Sequence, residues 1–208
     1  MTDALHAALD TIQSENGGEA ADVLAVSLSS EFAARAKCEA PQNIRRLALV
    51  SPTGFSGKKL RYEPADGTLG LPWLYRLLTL DFWRQGIFNT LTRPGVIRYF
   101  LKRTWGSEHI DEIFFRYCLL TSQQPGAANA AFYFVSAFLF STDINRLYEQ
   151  LKDPVWVSMA TRGDFTDYRG RHTVEGNTNW QFCAIEGGAL PFFEDLTAFT
   201  AKLDPHWN

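Results

Sequence analysis

The chain alternates between short, largely apolar segments and longer amphipathic ones. Each apolar segment is four to six residues long and is followed by small or polar residues. Such segments are typical of strands that are buried inside a parallel sheet. The pattern predicts four of these strands, at residues 22–26, 47–50, 155–160 and 180–185.

Apolar residues at helical spacing occupy the segments before, between and after these strands. Leu5, Leu9 and Ile12 share one face of a predicted first helix, which Gly17 and Gly18 close. Further helices are predicted at residues 30–38 and 193–203. Because strands that alternate with helices pair in parallel, the pattern indicates an α/β fold with a mostly parallel sheet.

Residues 60–151 differ from the rest of the chain, because they contain helical patterns and no strand pattern. The predicted helices lie near residues 71–80, 82–91, 94–104, 108–121, 125–140 and 142–151. Aromatic side chains are concentrated here, and they form either a helical core or the wall of an apolar ligand pocket, two compatible interpretations. We therefore divide the chain into an α/β core, residues 1–59 and 152–208, and a helical insertion, residues 60–151.

The composition is that of an ordinary globular protein, with 46% hydrophobic and 21% charged residues. A formal net charge of −3 provides no electrostatic reason to expect a nucleic-acid partner. The most apolar run, residues 127–140, is too short to span a membrane. Cys38, Cys118 and Cys183 are widely spaced, which predicts reduced thiols in a cytoplasmic protein, with no disulfide framework and no metal site.

The junction after the first strand has the layout of a nucleophile elbow. Ser27, Ser29 and Ser30 follow the apolar run directly, and helix-forming residues begin at Glu31. In such an elbow a serine lies on a tight strand-to-helix turn, with its hydroxyl exposed and backbone N–H groups nearby. The small-x-Ser-x-small pattern at residues 25–29 therefore predicts Ser27 as a nucleophile. By itself this pattern is weak, because many strand-to-helix junctions contain a serine.

The order of these elements resembles the C-terminal half to two-thirds of an α/β-hydrolase with a helical cap. The matching segments are Val23–Ser30, Leu47–Gly54, Pro154–Asp167 and Gly188–Glu194. The resemblance implies a mostly parallel sheet flanked by helices and truncated at its N-terminus, with the active site at the carboxyl ends of the strands. It also implies that the insertion is the cap.

Carried over by position, the resemblance implies roles for several residues. Ser27 falls on the nucleophile, and Leu28 falls on the residue whose N–H helps to form the oxyanion hole. Asp164 falls on the acid of the catalytic triad, although a turn or helix-capping role is the alternative, and Asp167 is the second candidate acid. No metal and no organic cofactor is implied.

Ala189 occupies the histidine position of the family pattern. Alanine cannot accept a proton, so Ser27 would lack the general base that a serine nucleophile needs near neutral pH. Of the four histidines, only His172 lies near a predicted catalytic loop. It is either a substitute base or a solvated loop residue.

The family has further strands before the elbow strand, and a loop among them supplies the second oxyanion donor. We therefore expect the strand at residues 22–26 at the edge of the sheet, where an apolar strand is prone to pair with other chains. Two explanations stay open: the chain is part of a longer protein, or it covers this edge by forming a homodimer.

Two functions are compatible with the sequence. One is a serine esterase or amide hydrolase that acts on an apolar small molecule and is impaired by Ala189. The other is a non-catalytic relative that binds an apolar ligand or a partner protein.

Overall fold

The computed structural model describes residues 1–207, which contain one parallel sheet of four strands. The strands lie in the order of the sequence: β1 (Ala21–Val26), β2 (Ile44–Val50), β3 (Val155–Ala160) and β4 (Trp180–Ile185). All three pairings are parallel, so the predicted strands and their arrangement are confirmed. β2 begins earlier than predicted, because Arg45 and Arg46 continue the strand and pair with Asp22 of β1.

The register of the sheet brings the carboxyl ends of the strands to one edge. Val26 pairs with Val50, and Val50 pairs with Ser158 of β3. The last residues of β3 and β4, Ala160 and Ile185, also face each other. The loops that follow the four strands therefore lie side by side, where open α/β sheets bind their ligands.

Helices precede β1, lie between β1 and β3, and follow β4. They are α1 (Thr2–Glu15), α2 (Ser29–Glu39), α3 (Pro72–Leu78), α4 (Asp81–Leu91), α5 (Pro94–Trp105), α6 (Glu112–Ser122), α7 (Ala127–Val135), α8 (Ile144–Gln150) and α9 (Leu196–Trp207). The helix predicted over 125–140 is shorter, because Ala137 adopts a φ of +63° that a right-handed helix does not contain. Within residues 1–207, no helix combines the length and the apolarity needed to cross a bilayer.

Helices cover both faces of the sheet. On one face, Leu9 of α1, Ala33 of α2 and Tyr148 of α8 belong to one buried cluster. On the other face, Phe199 of α9 packs against Trp156 of β3 with their ring centroids 5.8 Å apart. Burial of each large side chain contributes roughly 1.5–3 kcal/mol, so these two layers stabilise the sheet that positions the loops.

β1 lies at the edge of the sheet, as expected, and is less buried than its apolar sequence predicts. Asp22 and Leu24 are exposed, Leu24 to 40%, whereas Ala25 is buried. An edge strand has a neighbouring strand on one side only, so fewer side chains cover it. The prediction that this strand is buried on both faces is therefore wrong.

The aromatic side chains of the insertion are divided between its interior and its surface. Phe88, Trp105, Phe115 and Phe132 are buried. Trp105 and Phe115 belong to one buried cluster, and Phe88 packs against Phe132 with their ring centroids 6.3 Å apart. Nine others are exposed, from Tyr62 and Trp83 at 36% to Phe82 at 79%: Tyr62, Trp73, Phe82, Trp83, Tyr99, Phe100, Tyr117, Tyr133 and Phe134. These nine are not part of that interior.

A buried carboxylate joins α2 to the insertion. Glu31, which is 0% exposed, accepts hydrogen bonds from the Arg61 guanidinium and from the Thr53 hydroxyl, both at 2.6 Å. It also accepts one from the N–H of Ser141 at 2.7 Å. The first and last parts of the insertion are thereby held against the helix that follows the elbow.

Candidate active site

Ser27 lies on a strained turn between β1 and α2. Its φ is +54°, in the left-handed region that residues with a side chain rarely adopt. Its N–H donates to the Val50 carbonyl oxygen at 2.8 Å, and its carbonyl oxygen accepts from the N–H of Ser30 at 3.1 Å. Strain of this kind is concentrated at functional sites. The turn has the backbone geometry of an elbow, and the role of Ser27 as nucleophile stays a prediction.

The neighbouring serines hold this turn in place. The Ser29 hydroxyl accepts a hydrogen bond from the N–H of Val26 at 2.8 Å and donates one to the Val26 carbonyl oxygen at 2.7 Å. Ser30 is fully buried at the start of α2. The N–H of Leu28 has no acceptor in the described part of the chain. The role of Leu28 as an oxyanion donor stays a prediction.

Asp164, the predicted acid, is exposed in the bend that follows β3. Its carboxylate forms an ion pair with the Arg103 guanidinium of α5, and its N–H donates to the Arg103 carbonyl oxygen at 3.1 Å. The Asp164 carboxylate, with the Tyr99 hydroxyl, raises the pKa of Arg103 further above its usual range. The partner of Asp164 is therefore a permanent cation and not a histidine.

Asp167, the second candidate acid, is committed to contacts with Arg169 and with the loop that follows β2. Its carboxylate accepts hydrogen bonds from the Arg169 guanidinium, the Ser56 hydroxyl and the N–H of Gly57. The Arg169 side chain is the main reason why the pKa of Asp167 lies well below its usual value. With these donors in place, Asp167 is less suited than Asp164 to orient a base.

Ala189, at the histidine position, is 4% exposed and its N–H donates to the Thr104 carbonyl oxygen at 3.0 Å. Gly188 lies so close to α5 that a Cβ atom there would be 2.5 Å from the Cα of Trp105. The Glu194 carboxylate accepts a hydrogen bond from the N–H of Gly188 at 2.7 Å. The loop after β4 is thus fixed tightly against the insertion.

The C-terminal end of α5 contacts both of the predicted catalytic loops at once. The last carbonyl groups of a helix have no partner within the helix. Here the Arg103 carbonyl oxygen accepts from the N–H of Asp164, and the Thr104 carbonyl oxygen accepts from the N–H of Ala189. The Trp105 carbonyl oxygen accepts from Nε of Arg162 at 3.2 Å. The loops after β3 and β4 are therefore joined to each other through this helix end.

His172 is exposed in a short 3-10 helix, Arg169–Thr173. Its Nδ1 is hydrogen-bonded to the Arg169 carbonyl oxygen at 2.8 Å. Within residues 1–207, no hydrogen bond connects His172 to Ser27 or to Asp164. Its contacts are those of a solvated loop residue, and a role as substitute base would require it to move.

A cavity of about 350 Å³ lies at the carboxyl ends of β2 and β3. Asp164 and Ser51 are among its lining residues, and Ser27 is not. Ser51 was not predicted as a site residue. The available signal was its place directly after the apolar run of β2, where the Ser-Pro-Thr-Gly sequence begins a turn.

No protein-family model and no curated protein matches the sequence, so the comparison depends on solved structures. A probable hydrolytic enzyme from Pseudomonas aeruginosa superposes with a TM-score of 0.73 at 18% identity, over 100% of this chain and 69% of that one. An α/β-hydrolase enzyme from a deep-sea metagenome library superposes with a TM-score of 0.62 at 13% identity, over 96% of this chain and 69% of that one. The chain has the α/β-hydrolase fold.

A third α/β-hydrolase-like structure has a named substrate. It is a 2-hydroxy-6-oxo-6-phenylhexa-2,4-dienoate hydrolase from Rhodococcus sp. strain RHA1, with a TM-score of 0.64 at 16% identity. The match covers 94% of this chain and 66% of that one. The chain thus spans about two-thirds of the length of the structures that it matches. The fold predicted from the sequence is confirmed, and at these identities the comparison concerns the fold alone.

Proposed function

We propose that this α/β-hydrolase-fold protein binds a small molecule with an apolar body and does not hydrolyse it. The proposal depends on the ion pair between the Asp164 carboxylate and the Arg103 guanidinium. In a working triad the acid orients a histidine and stabilises its protonated form. A guanidinium stays protonated in proteins, so Arg103 cannot replace that histidine as a base.

The packing around Ala189 supports the same conclusion. Ala189 is buried, and its N–H is bonded to α5. Without a base, the hydroxyl of Ser27 is a poor nucleophile near neutral pH. In this proposal residues 60–151 form a cap over the core, residues 1–59 and 152–208, and the protein is cytoplasmic.

A second candidate function is a serine hydrolase of the carboxylic-ester or amide type. The φ of +54° at Ser27 and the unbonded N–H of Leu28 favour it, because an active elbow needs both. In that case Ser27 is the nucleophile, Leu28 supplies an oxyanion donor and Asp164 is the acid. His172 would have to supply the base.

Two measurements on the purified protein separate these functions. A fluorophosphonate probe reports an activated serine, and the hydrolysis of p-nitrophenyl esters reports turnover. We expect no labelling of the wild type and no turnover above that of Ser27→Ala. Labelling or turnover that disappears in Ser27→Ala would overturn the binding proposal and establish the second candidate.

Restoring the histidine tests the site more directly. We expect no ester turnover in Ala189→His, because Asp164 stays paired with Arg103 in this variant. Ala184→His is the matched control, since Ala184 is an exposed residue of the neighbouring strand β4. Turnover that appears in Ala189→His and not in Ala184→His would show that the remaining groups are competent for hydrolysis.

We also propose that the free edge of β1 pairs with a second copy of the chain. Leu24 on this strand is 40% exposed, and the strand has a neighbour, β2, on one side only. Edge strands offer unpaired N–H and C=O groups to other strands. A homodimer through β1 would cover this apolar edge.

A further inference from the structure

A second cavity, of about 560 Å³, lies between the core and the insertion. Phe32, Arg35 and Glu39 share one face of α2 and line it from the core, and Tyr133 of α7 lines it from the insertion. Ser27 is not among its lining residues. Ligand sites measure roughly 300–1,000 Å³ and are common between two parts of a fold. The cavity is therefore large enough for an aromatic molecule, and it is separate from the elbow.

Aromatic side chains form the wall of this cavity on the side of the insertion. Tyr133 and Phe138 both line it, with their ring centroids 5.8 Å apart. Tyr75 packs against both rings, at 4.8 Å from Tyr133 and 5.7 Å from Phe138. Phe32 of α2 adds an aromatic ring from the core. The cavity therefore offers aromatic surfaces from two separate elements to a ligand.

Ser141 supplies a hydrogen-bonding group to the same cavity. It lines the cavity, is 7% exposed and forms an isolated bridge with Thr68 of the rim. Its N–H donates to the Glu31 carboxylate at 2.7 Å, and its carbonyl oxygen accepts from the Arg61 guanidinium at 2.6 Å, so its backbone is fixed. Its hydroxyl has no hydrogen-bond partner within residues 1–207, and the oxygen keeps accessible surface. Such a hydroxyl is available to a ligand.

The charges along the rim favour a cation. Three carboxylates line the cavity, those of Asp3, Glu39 and Asp66. Arg35 is the one lysine or arginine among the described lining residues, and it is already shared by Asp66 and by the fully buried Asp143, the latter at 2.6 Å. Glu39 is hydrogen-bonded to His6 at 2.8 Å, and a histidine is largely uncharged at neutral pH. Negative charge therefore exceeds positive charge around the opening.

We propose that this cavity binds an arylalkyl amine, an organic cation with one aromatic ring. The ammonium group lies among the rim carboxylates and donates a hydrogen bond to the Ser141 hydroxyl. The ring packs between Phe32 and the wall of Tyr133 and Phe138. Aromatic faces also attract cations, which adds to the selection of an amine. The inference rests on the proposed function, since it names the ligand class of a protein that binds without turnover.

The test is a calorimetric titration with phenethylamine, and with 2-phenylethanol and phenylacetate as its neutral and anionic analogues. We expect phenethylamine to bind the wild type at least tenfold more tightly than either analogue. Ser141→Ala and Asp66→Asn should each weaken phenethylamine binding at least fivefold. Asparagine readily adopts the left-handed conformation of Asp66, whose φ is +56°, so Asp66→Asn removes the charge and keeps the backbone. Asp204→Asn is the matched control, because Asp204 is an exposed residue of α9 and does not line the cavity.

Tyr133→Leu tests the aromatic wall at a position that is 41% exposed, where the fold tolerates a change. It should weaken phenethylamine binding at least threefold. The same replacement at Tyr117, which is 62% exposed and does not line the cavity, should leave the affinity unchanged.

Four results would overturn this inference. They are the absence of phenethylamine binding to the wild type, an analogue that binds as tightly as the amine, unchanged affinity in both Ser141→Ala and Tyr133→Leu, and equal losses in Asp66→Asn and Asp204→Asn. None of these results involves ester hydrolysis. A failure of the proposed function, which would be seen as Ser27-dependent turnover, can therefore be distinguished from a failure of the ligand assignment.

Discussion

Replacement of Glu31 by alanine would leave a buried arginine without its counter-charge. The Glu31 side chain is 0% exposed and that of its partner Arg61 is 10% exposed. The Thr53 hydroxyl and the N–H of Ser141 would lose their acceptor at the same time. The substitution also removes volume from the junction between α2 and the insertion.

The size of the effect follows from these contacts. Removing one member of a buried ion pair costs about 3–5 kcal/mol. A buried donor that loses its acceptor costs about 1–3 kcal/mol. The total loss is smaller than the sum of these two costs, because Arg61 keeps its hydrogen bond to the Ser141 carbonyl oxygen at 2.6 Å and is not left without any partner. We therefore expect Glu31→Ala to lower the free energy of unfolding by about 3–5 kcal/mol.

Urea unfolding followed by tryptophan fluorescence measures this difference. Glu31→Gln should lose less than Glu31→Ala, because the amide keeps the volume and one acceptor oxygen. Glu15→Ala is the control, since Glu15 is an exposed residue of α1 and its loss should change stability by no more than about 0.5 kcal/mol. A loss in Glu31→Ala below about 1 kcal/mol, or equal to that in Glu15→Ala, would refute the assigned role of the pair.

Other parts of the structure lead to three further predictions. Gly163→Ala should lower the free energy of unfolding by about 1–3 kcal/mol, because Gly163 has a φ of +87° and an added Cβ would lie 2.7 Å from the Arg103 carbonyl oxygen. In the same urea assay, Gly86→Ala is the control and should not lower the free energy of unfolding, because an added Cβ within α4 would lie in open space. Burial alone would raise the pKa of Asp143, but hydrogen bonds from the Asp66 N–H and the arginines beside it lower it overall. The ionised Asp143 carboxylate therefore stabilises the fold fully above its unfolded pKa, about 3.9, and this stabilisation is lost as the pH falls through the lower folded pKa. The free energy of unfolding, measured from pH 5 to 2.5, should therefore fall less in Asp143→Asn than in the wild type. Sedimentation equilibrium should show a dimer for the wild type and a monomer for Leu24→Lys, and a monomeric wild type would contradict pairing through β1.

The local pattern of the sequence was sufficient to predict most of the secondary structure. Buried strands and amphipathic helices differ in the period of their apolar residues, and this period can be counted along the chain. The prediction of burial failed for β1, where the position of the strand in the sheet outweighs its local apolar pattern. The apolar run of β1 indicated burial on both faces, yet Leu24 is exposed because the strand lies at the edge of the sheet.

The candidate site was predictable to a lesser extent. The turn at Ser27 follows from small residues directly after a strand, and the absence of a histidine at position 189 is evident from the sequence. The partner of Asp164 was not predictable, because Arg103 lies 61 residues away in the chain. Ser51 was also missed, since a serine after a strand is common and its burial depends on distant residues.

The sequence by itself determined the alternation of strands and helices, the place of the serine-rich turn after β1 and the alanine at position 189, because each is a property of neighbouring residues. The tertiary structure alone decided that the end of α5 contacts the loops after β3 and β4, that Arg103 pairs with Asp164, and that Ser51 lines a cavity. These contacts join residues far apart in the chain. They depend on how the insertion packs on the sheet, which local periodicity does not encode.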